Sequence, residues 1–154
     1  VSCVAKLHQV DLGGAGKPPM LVLHGLLGSS RNWQTTGRDL TARYHVTALD
    51  ARNHGRSPHE DEMSFAAMAD DVIAWMDAQG MARATIVGHS MGAAAASSGV
   101  DSGAIQPAAV ALLGGGGAVT SQARWKDLPL MIGVGELDFG KMMASRTRPA
   151  AERG

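Results

Sequence analysis

The stretch Ala84-Thr85-Ile86-Val87-Gly88-His89-Ser90-Met91-Gly92 decides how this chain is read. Its first four residues are a short apolar run with strand formers. Its end leads into Ala93, Ala94, Ala95 and Ala96, the best helix formers. Between the two, Gly88, Ser90 and Gly92 fit the spacing G-x-S-x-G. A chain that leaves a strand and enters a helix at once must close a strained turn, and flanking glycines let it close without Cβ clashes. Such a turn exposes the serine hydroxyl at the carboxyl end of the strand. There it sits above a helix N-terminus, whose amides favour negative charge.

Working outward, the same strand-and-helix rhythm recurs. Residues 20–24, 44–49, 108–113 and 130–134 are short apolar runs, the pattern of strands buried on both faces. Residues 1–10 alternate and predict an edge or hairpin strand, followed by a turn over 11–19 that is broken by Gly13, Gly14, Gly16, Pro18 and Pro19. Ser29 or Ser30 is positioned to cap a helix running to about residue 42. Ser64 caps the clearest helix, with Phe65, Met68, Ala69, Val72, Ile73 and Met76 on one apolar stripe and Gly80 as its stop. Residues 91–98 predict a short Ala-rich helix. Alternating strands and helices, with strands apolar on both faces, imply an α/β fold: a three-layer sandwich around a mostly parallel sheet. There is no internal repeat. Residues 1–154 read as a single domain, with 114–117 a glycine connection and 145–154 a polar, Arg-rich tail.

The composition narrows the function. The chain has 154 residues, with 14 basic and 14 acidic side chains. That balance argues against a nucleic-acid binder, which carries a basic face. Aromatics are 4% and there are nine Met, so the core rests on aliphatic and Met side chains. Cys3 is alone, which excludes a disulfide framework or a Cys-rich metal site and makes a reducing, cytoplasmic compartment the default expectation. No apolar run approaches the roughly 20 residues of a membrane span. Residues 1–10 carry Lys6 and His8 and do not read as a signal peptide. The chain opens on Val1 rather than Met, which leaves room for sequence upstream.

In its strand–turn–helix setting the G-x-S-x-G pattern reads as a nucleophile elbow, against the plainer alternative of a helix-capping serine. Two further segments agree with the first reading. His24-Gly25-Leu26-Leu27-Gly28-Ser29 follows the first buried strand, and Asp50-Ala51-Arg52-Asn53-His54-Gly55-Arg56-Ser57 follows the second. Together these three motifs resemble the α/β-hydrolase superfamily, and residues 63–92 most resemble small bacterial esterases and their ABHD11-type relatives. The resemblance is dense over residues 21–92. It implies Ser90 as nucleophile, the backbone N–H of Met91 and of Leu26 as oxyanion donors, and His24, Gly25, Leu27 and His89 beside the substrate. Serine at the elbow, rather than the aspartate of dehalogenases and epoxide hydrolases, implies an acyl-enzyme formed from a small acyl ester. No cofactor is implied. If Leu26, Leu27, Met91 and Trp33 line it, the pocket is apolar.

The orienting acid of the family follows a later strand. Asp138, after residues 130–134, matches it, with Glu136 as the fallback and a helix cap as its plainer role. The family's catalytic histidine lies after that acid, and here none follows Asp138. His24 is expected to orient the oxyanion loop. His54 lies on the same side of the sheet, and a loop-fixing hydrogen bond is its expected role. His54, His59, Glu60, Asp61 and Glu62 read as a solvated loop rather than a metal site. Residues 114–128 leave little room for the cap that family members carry. The chain is therefore expected to be a shortened hydrolase: a serine esterase, a non-catalytic relative, or an acyltransferase or haloperoxidase-like user of the same elbow. Its oligomeric state is open.

Overall fold

The computed structural model describes residues 3–101, 109–113 and 130–133. In chain order the strands are β1 (Gln9–Gly13), β2 (Pro19–Leu23), β3 (His45–Leu49), β4 (Thr85–His89), β5 (Ala109–Leu113) and β6 (Leu130–Gly133). Among the described residues three helices lie between them: α1 (Gln34–Leu40), α2 (Phe65–Ala78) and α3 (Met91–Asp101), with a 3-10 turn (Ser30–Trp33) leading into α1. The sheet has the order β1-β3-β2-β4-β5-β6. Only β1 is antiparallel; the other four pairings run parallel. The expected α/β sandwich with a mostly parallel sheet is the observed fold.

Side-chain alternation along the strands sorts the core into two layers. Met20 and Val22 of β2, Val46 and Ala48 of β3, and Val87 of β4 pack with Trp33 and Leu40 on the face that α1 covers. Leu21, Leu23, Leu49 and Ile86 pack on the opposite face with Val72, Trp75 and Met76 of α2 and Ala93 and Ala96 of α3. The chain moves from β2 to β3 over one face, then back across β2 to β4 over the other. The carboxyl ends of β2 and β4 therefore flank the point where the winding reverses. In open α/β sheets this crevice is where ligands bind.

Three expectations need correction. Among the described residues the first strand is Gln9–Gly13 rather than a run ending at residue 10, and it extends into the glycine region because a bulge between Asp11 and Gly13 accommodates the break. Gly13 sits at φ +117°, a conformation the strand could not hold with a side chain there. The helix after Ser29 is shorter than expected and begins as a 3-10 turn. Ser29 and Asn32 close a reciprocal capping box on that turn, and α1 ends at Leu40. The buried stripe of α2 also differs. Ser64 caps the helix as expected, but Phe65 is 51% exposed, while Asp71 and Trp75 are buried.

Candidate active site

Among the described residues, three non-glycine residues have positive φ: Leu27 at 61°, Asn53 at 64° and Ser90 at 52°. Each lies just beyond the carboxyl end of a strand: Leu27 after β2, Asn53 after β3, Ser90 after β4. Left-handed backbone is costly for residues with a Cβ, and such strain concentrates where surrounding contacts enforce it. The strain therefore collects at the end of the sheet where the winding reverses.

Ser90 stands between the last residue of β4 and the first of α3. The glycines around it have specific reasons. A Cβ on Gly88 would come within 2.5 Å of the Gly92 carbonyl oxygen, and one on Gly92 within 2.4 Å of the Leu23 carbonyl oxygen. Only glycines let α3 start directly against β2 and β4. A Cβ on Gly25 would lie 2.9 Å from His89 Nδ1 and 3.3 Å from the Ser90 Cβ. The loop after β2 thus touches the elbow itself. The Ala94 N–H returns to the Ser90 carbonyl at 3.1 Å, so the helix begins at once.

The loop after β2 is a tight turn. The Gly28 N–H donates to the Gly25 carbonyl at 3.0 Å, which places Leu26 and Leu27 at the turn centre, with Leu27 in the left-handed position. Among the described residues the N–H groups of Leu26 and Met91 are taken by no other group. Ser90, Leu26 and Met91 line one open groove of about 350 Å³ with Met63, Phe65, Met68 and Ala94. Its rim is apolar and exposed: Leu26 is 65% accessible, Phe65 51% and Met63 43%. Leu27 is 91% exposed and is not part of that lining. Trp33 is not part of it either. It lines a second groove with His24, Gly25, Leu26, Gly28, Asn32, Thr36 and His89. Sequence reasoning missed Met63 and Phe65. An apolar pair at a helix start looks like core until its exposure is seen.

Two histidines brace these loops reciprocally. His24 is buried and its Nε2 accepts the Ala51 N–H at 3.0 Å, while Nδ1 donates to the Gly25 carbonyl at 2.8 Å. Burial holds its pKa below the ordinary 6.5, against the pull of the Gly25 carbonyl. His54 does the converse: its Nε2 accepts the Leu27 N–H at 3.2 Å, and Nδ1 pairs with the Arg52 carbonyl at 2.9 Å. The ring centroids are 5.2 Å apart. All six histidines of the chain lie among the described residues. His8 and His45 pair with Asp50 and Asp11. None of the six is hydrogen-bonded to Ser90.

Beneath the loops lies a charged core that the sequence did not disclose. Arg52 and Asp71 are each 1% exposed and paired through two bonds, Nε to Oδ2 at 2.7 Å and Nη2 to Oδ1 at 2.8 Å. The Arg52 guanidinium also donates to the Glu62 and Cys3 carbonyls, and the Ala5 N–H donates to Asp71. Every strong group is satisfied, which is the condition for burying a charged pair. Asp50, 2% exposed, accepts the N–H groups of Ser30 and Arg56 and pairs with His8. Burial acts to raise its pKa, but these bonds outweigh burial and hold it below 3.8. A Cβ on Gly55 would meet the Asp50 carboxylate at 2.3 Å, so glycine is required there. Among the described residues no cluster of three or more His, Cys, Asp or Glu could hold a metal. Asp138, Glu136 and residues 114–128 lie outside the described residues.

A sheet wound this way, with a strained serine at the strand-to-helix turn, belongs to a known class. The family described as alpha/beta hydrolase fold matches residues 18–98, and the chain belongs to it. Esterase YbfF of Escherichia coli (strain K12) is 43% identical over 74 residues, which is 48% of this chain and 29% of that protein. The sn-1-specific diacylglycerol lipase ABHD11 of Xenopus tropicalis is 44% identical over 82 residues, 52% of this chain and 26% of that one. Among solved structures, a marine microorganism esterase superposes with a TM-score of 0.69 at 28% identity, covering 96% of this chain and 53% of its own. The matched stretch is thus between a quarter and a third of these curated relatives' length. No described helix is long and apolar enough to cross a membrane.

Proposed function

We propose that this chain carries the nucleophile side of a serine hydrolase site that cleaves small acyl esters through an acyl-enzyme on Ser90. The observation that carries this reading is the left-handed Ser90 at the end of β4, in an open apolar groove and beside the turn that bears Leu26. The Ser90 oxygen attacks the ester carbonyl carbon. The oxyanion that forms is held by the N–H groups of Leu26 and Met91, and one such donor is typically worth about 3 kcal/mol in the transition state. The Ser90 hydroxyl proton passes to the leaving alcohol; water then adds to the acyl carbon, returns a proton to Ser90 and releases the acid. Asp138 is the orienting acid of this reading. The groove supports that substrate class: Leu26, Met63, Phe65 and Met68 offer an aliphatic chain an apolar wall. The names of the relatives, an esterase and a diacylglycerol lipase, agree with an ester substrate.

A second reading has its own observation. No histidine is hydrogen-bonded to Ser90, and a serine without a base is a weak nucleophile. This favours a chain that binds and orients esters but turns them over slowly. Residual catalysis from the oxyanion site and binding still exceeds water by about 10³–10⁴. Hydrolysis of p-nitrophenyl acetate and butyrate, measured beside Ser90→Ala, separates the two. Turnover lost in Ser90→Ala supports the hydrolase; equal rates for folded wild type and variant support the second reading.

A further inference from the structure

We infer that His54 is a positioning residue that holds the oxyanion turn in shape. The inference rests on the reading of Leu26 as an oxyanion donor and extends it to a side chain outside the groove. Leu27 occupies the central position of the turn from Gly25 to Gly28 with φ 61°. A turn with positive φ at its third residue is ordinarily served by glycine or asparagine. Leucine there is disfavoured, and its 91% exposure means that side-chain packing does not hold it. The Leu27 N–H does: it donates to His54 Nε2 at 3.2 Å. Without that acceptor the central peptide of the turn is free to flip. Leu27 would then relax to negative φ, and the turn that presents the Leu26 N–H would change shape.

His54 is itself built to accept there. Its Nδ1 donates to the Arg52 carbonyl at 2.9 Å, which fixes the tautomer and leaves the lone pair on Nε2. Its own N–H donates to the Ala51 carbonyl at 3.0 Å. Arg52 cannot shift, because its guanidinium is locked onto Asp71, Glu62 and Cys3. The strain at Leu27 is thus referred through one imidazole to a buried ion pair. His24 completes the brace from the other side by accepting the Ala51 N–H.

The test compares wild type, His54→Ala and His54→Asn, whose amide oxygen can accept in place of Nε2. Two readouts are taken: the rate at which a fluorophosphonate labels Ser90, and the hydrogen-exchange rate of the Leu27 amide. His54→Ala should label about tenfold more slowly, roughly the loss of one hydrogen bond that matters only in a positioned site. Its Leu27 amide should exchange at least about tenfold faster. If the variants turn over p-nitrophenyl butyrate, the loss should fall on kcat with KM little changed. His54→Asn should recover part of both effects, which sets positioning apart from general destabilisation. Unchanged labelling or unchanged Leu27 exchange in folded His54→Ala overturns the inference. If wild type itself is never labelled at Ser90, the hydrolase reading fails instead, and the amide exchange alone decides whether His54 holds the turn.

Discussion

Two regions at the carboxyl end of the sheet break the ordinary rule of burial in opposite directions. Below the loops, Arg52 and Asp71 are charged and 1% exposed. Above them, Leu26, Met63 and Phe65 are apolar and at least 43% exposed. A charge inside and an apolar patch outside are each informative departures. The buried pair reaches residues 3, 5 and 62, so it ties the N-terminal segment and the loop after β3 to α2. The exposed patch surrounds Ser90 and holds no buried charge; Met63 Sδ accepts from the Asn53 side-chain amide at 3.2 Å at its edge. One region fixes loop position; the other leaves surface open to a ligand. The difference teaches that, among the described residues, the candidate site is braced from below and open above.

The largest effect should come from breaking the lower region. Asp71→Ala leaves the Arg52 guanidinium buried without a counter-charge and should cost about 3–5 kcal/mol of stability in urea unfolding. A loss below about 1 kcal/mol would mean that Arg52 finds water or another partner, and that the clamp is not rigid. A smaller effect is expected from pH. His24 has a folded pKa below 6.5, so below that value the unfolded chain binds a proton that the folded chain does not. Stability should therefore fall as pH is lowered from 6.5, and His24→Asn should flatten that slope in urea midpoints. An unchanged slope would remove His24 from the brace.

The smallest effect belongs to the upper region and divides two adjacent leucines. Leu26 lines the groove and Leu27 does not. Leu26→Asp should reduce hydrolysis of the butyrate ester more than the acetate ester, by about fourfold for each added methylene that loses its apolar wall. Leu27→Asp should affect both alike. Equal chain-length profiles for the two variants would show that the groove does not hold the acyl chain.

How much of this was legible beforehand follows from the kind of signal involved. The elbow was legible because its glycines, serine and flanking runs are local. Ser64 is legible as a cap for the same reason, and Ser29 as one of two candidates, Ser29 or Ser30. The α2 stripe differs from the observed buried face at Phe65, Asp71 and Trp75: periodicity counts apolar residues, so it places Phe65 inside and does not mark Asp71. Asp71 is buried because Arg52, 19 residues earlier, meets it there, and nothing local announces that pairing. β1 was displaced because Gly13 looked like a breaker when it serves a bulge within the strand. The sequence predicts a loop-orienting role for His24 and a loop-fixing bond for His54, and the hydrogen bonds of both rings agree. Their exchange of backbone partners needed both loops in three dimensions.

The most direct test of the central claim is covalent. Folded protein would be treated with a fluorophosphonate, digested, and the labelled peptide sequenced by mass spectrometry. The account predicts one modified residue, Ser90, and no labelling in Ser90→Ala. A label on another residue, or none on folded wild type, would contradict the assignment of this strained serine as a nucleophile.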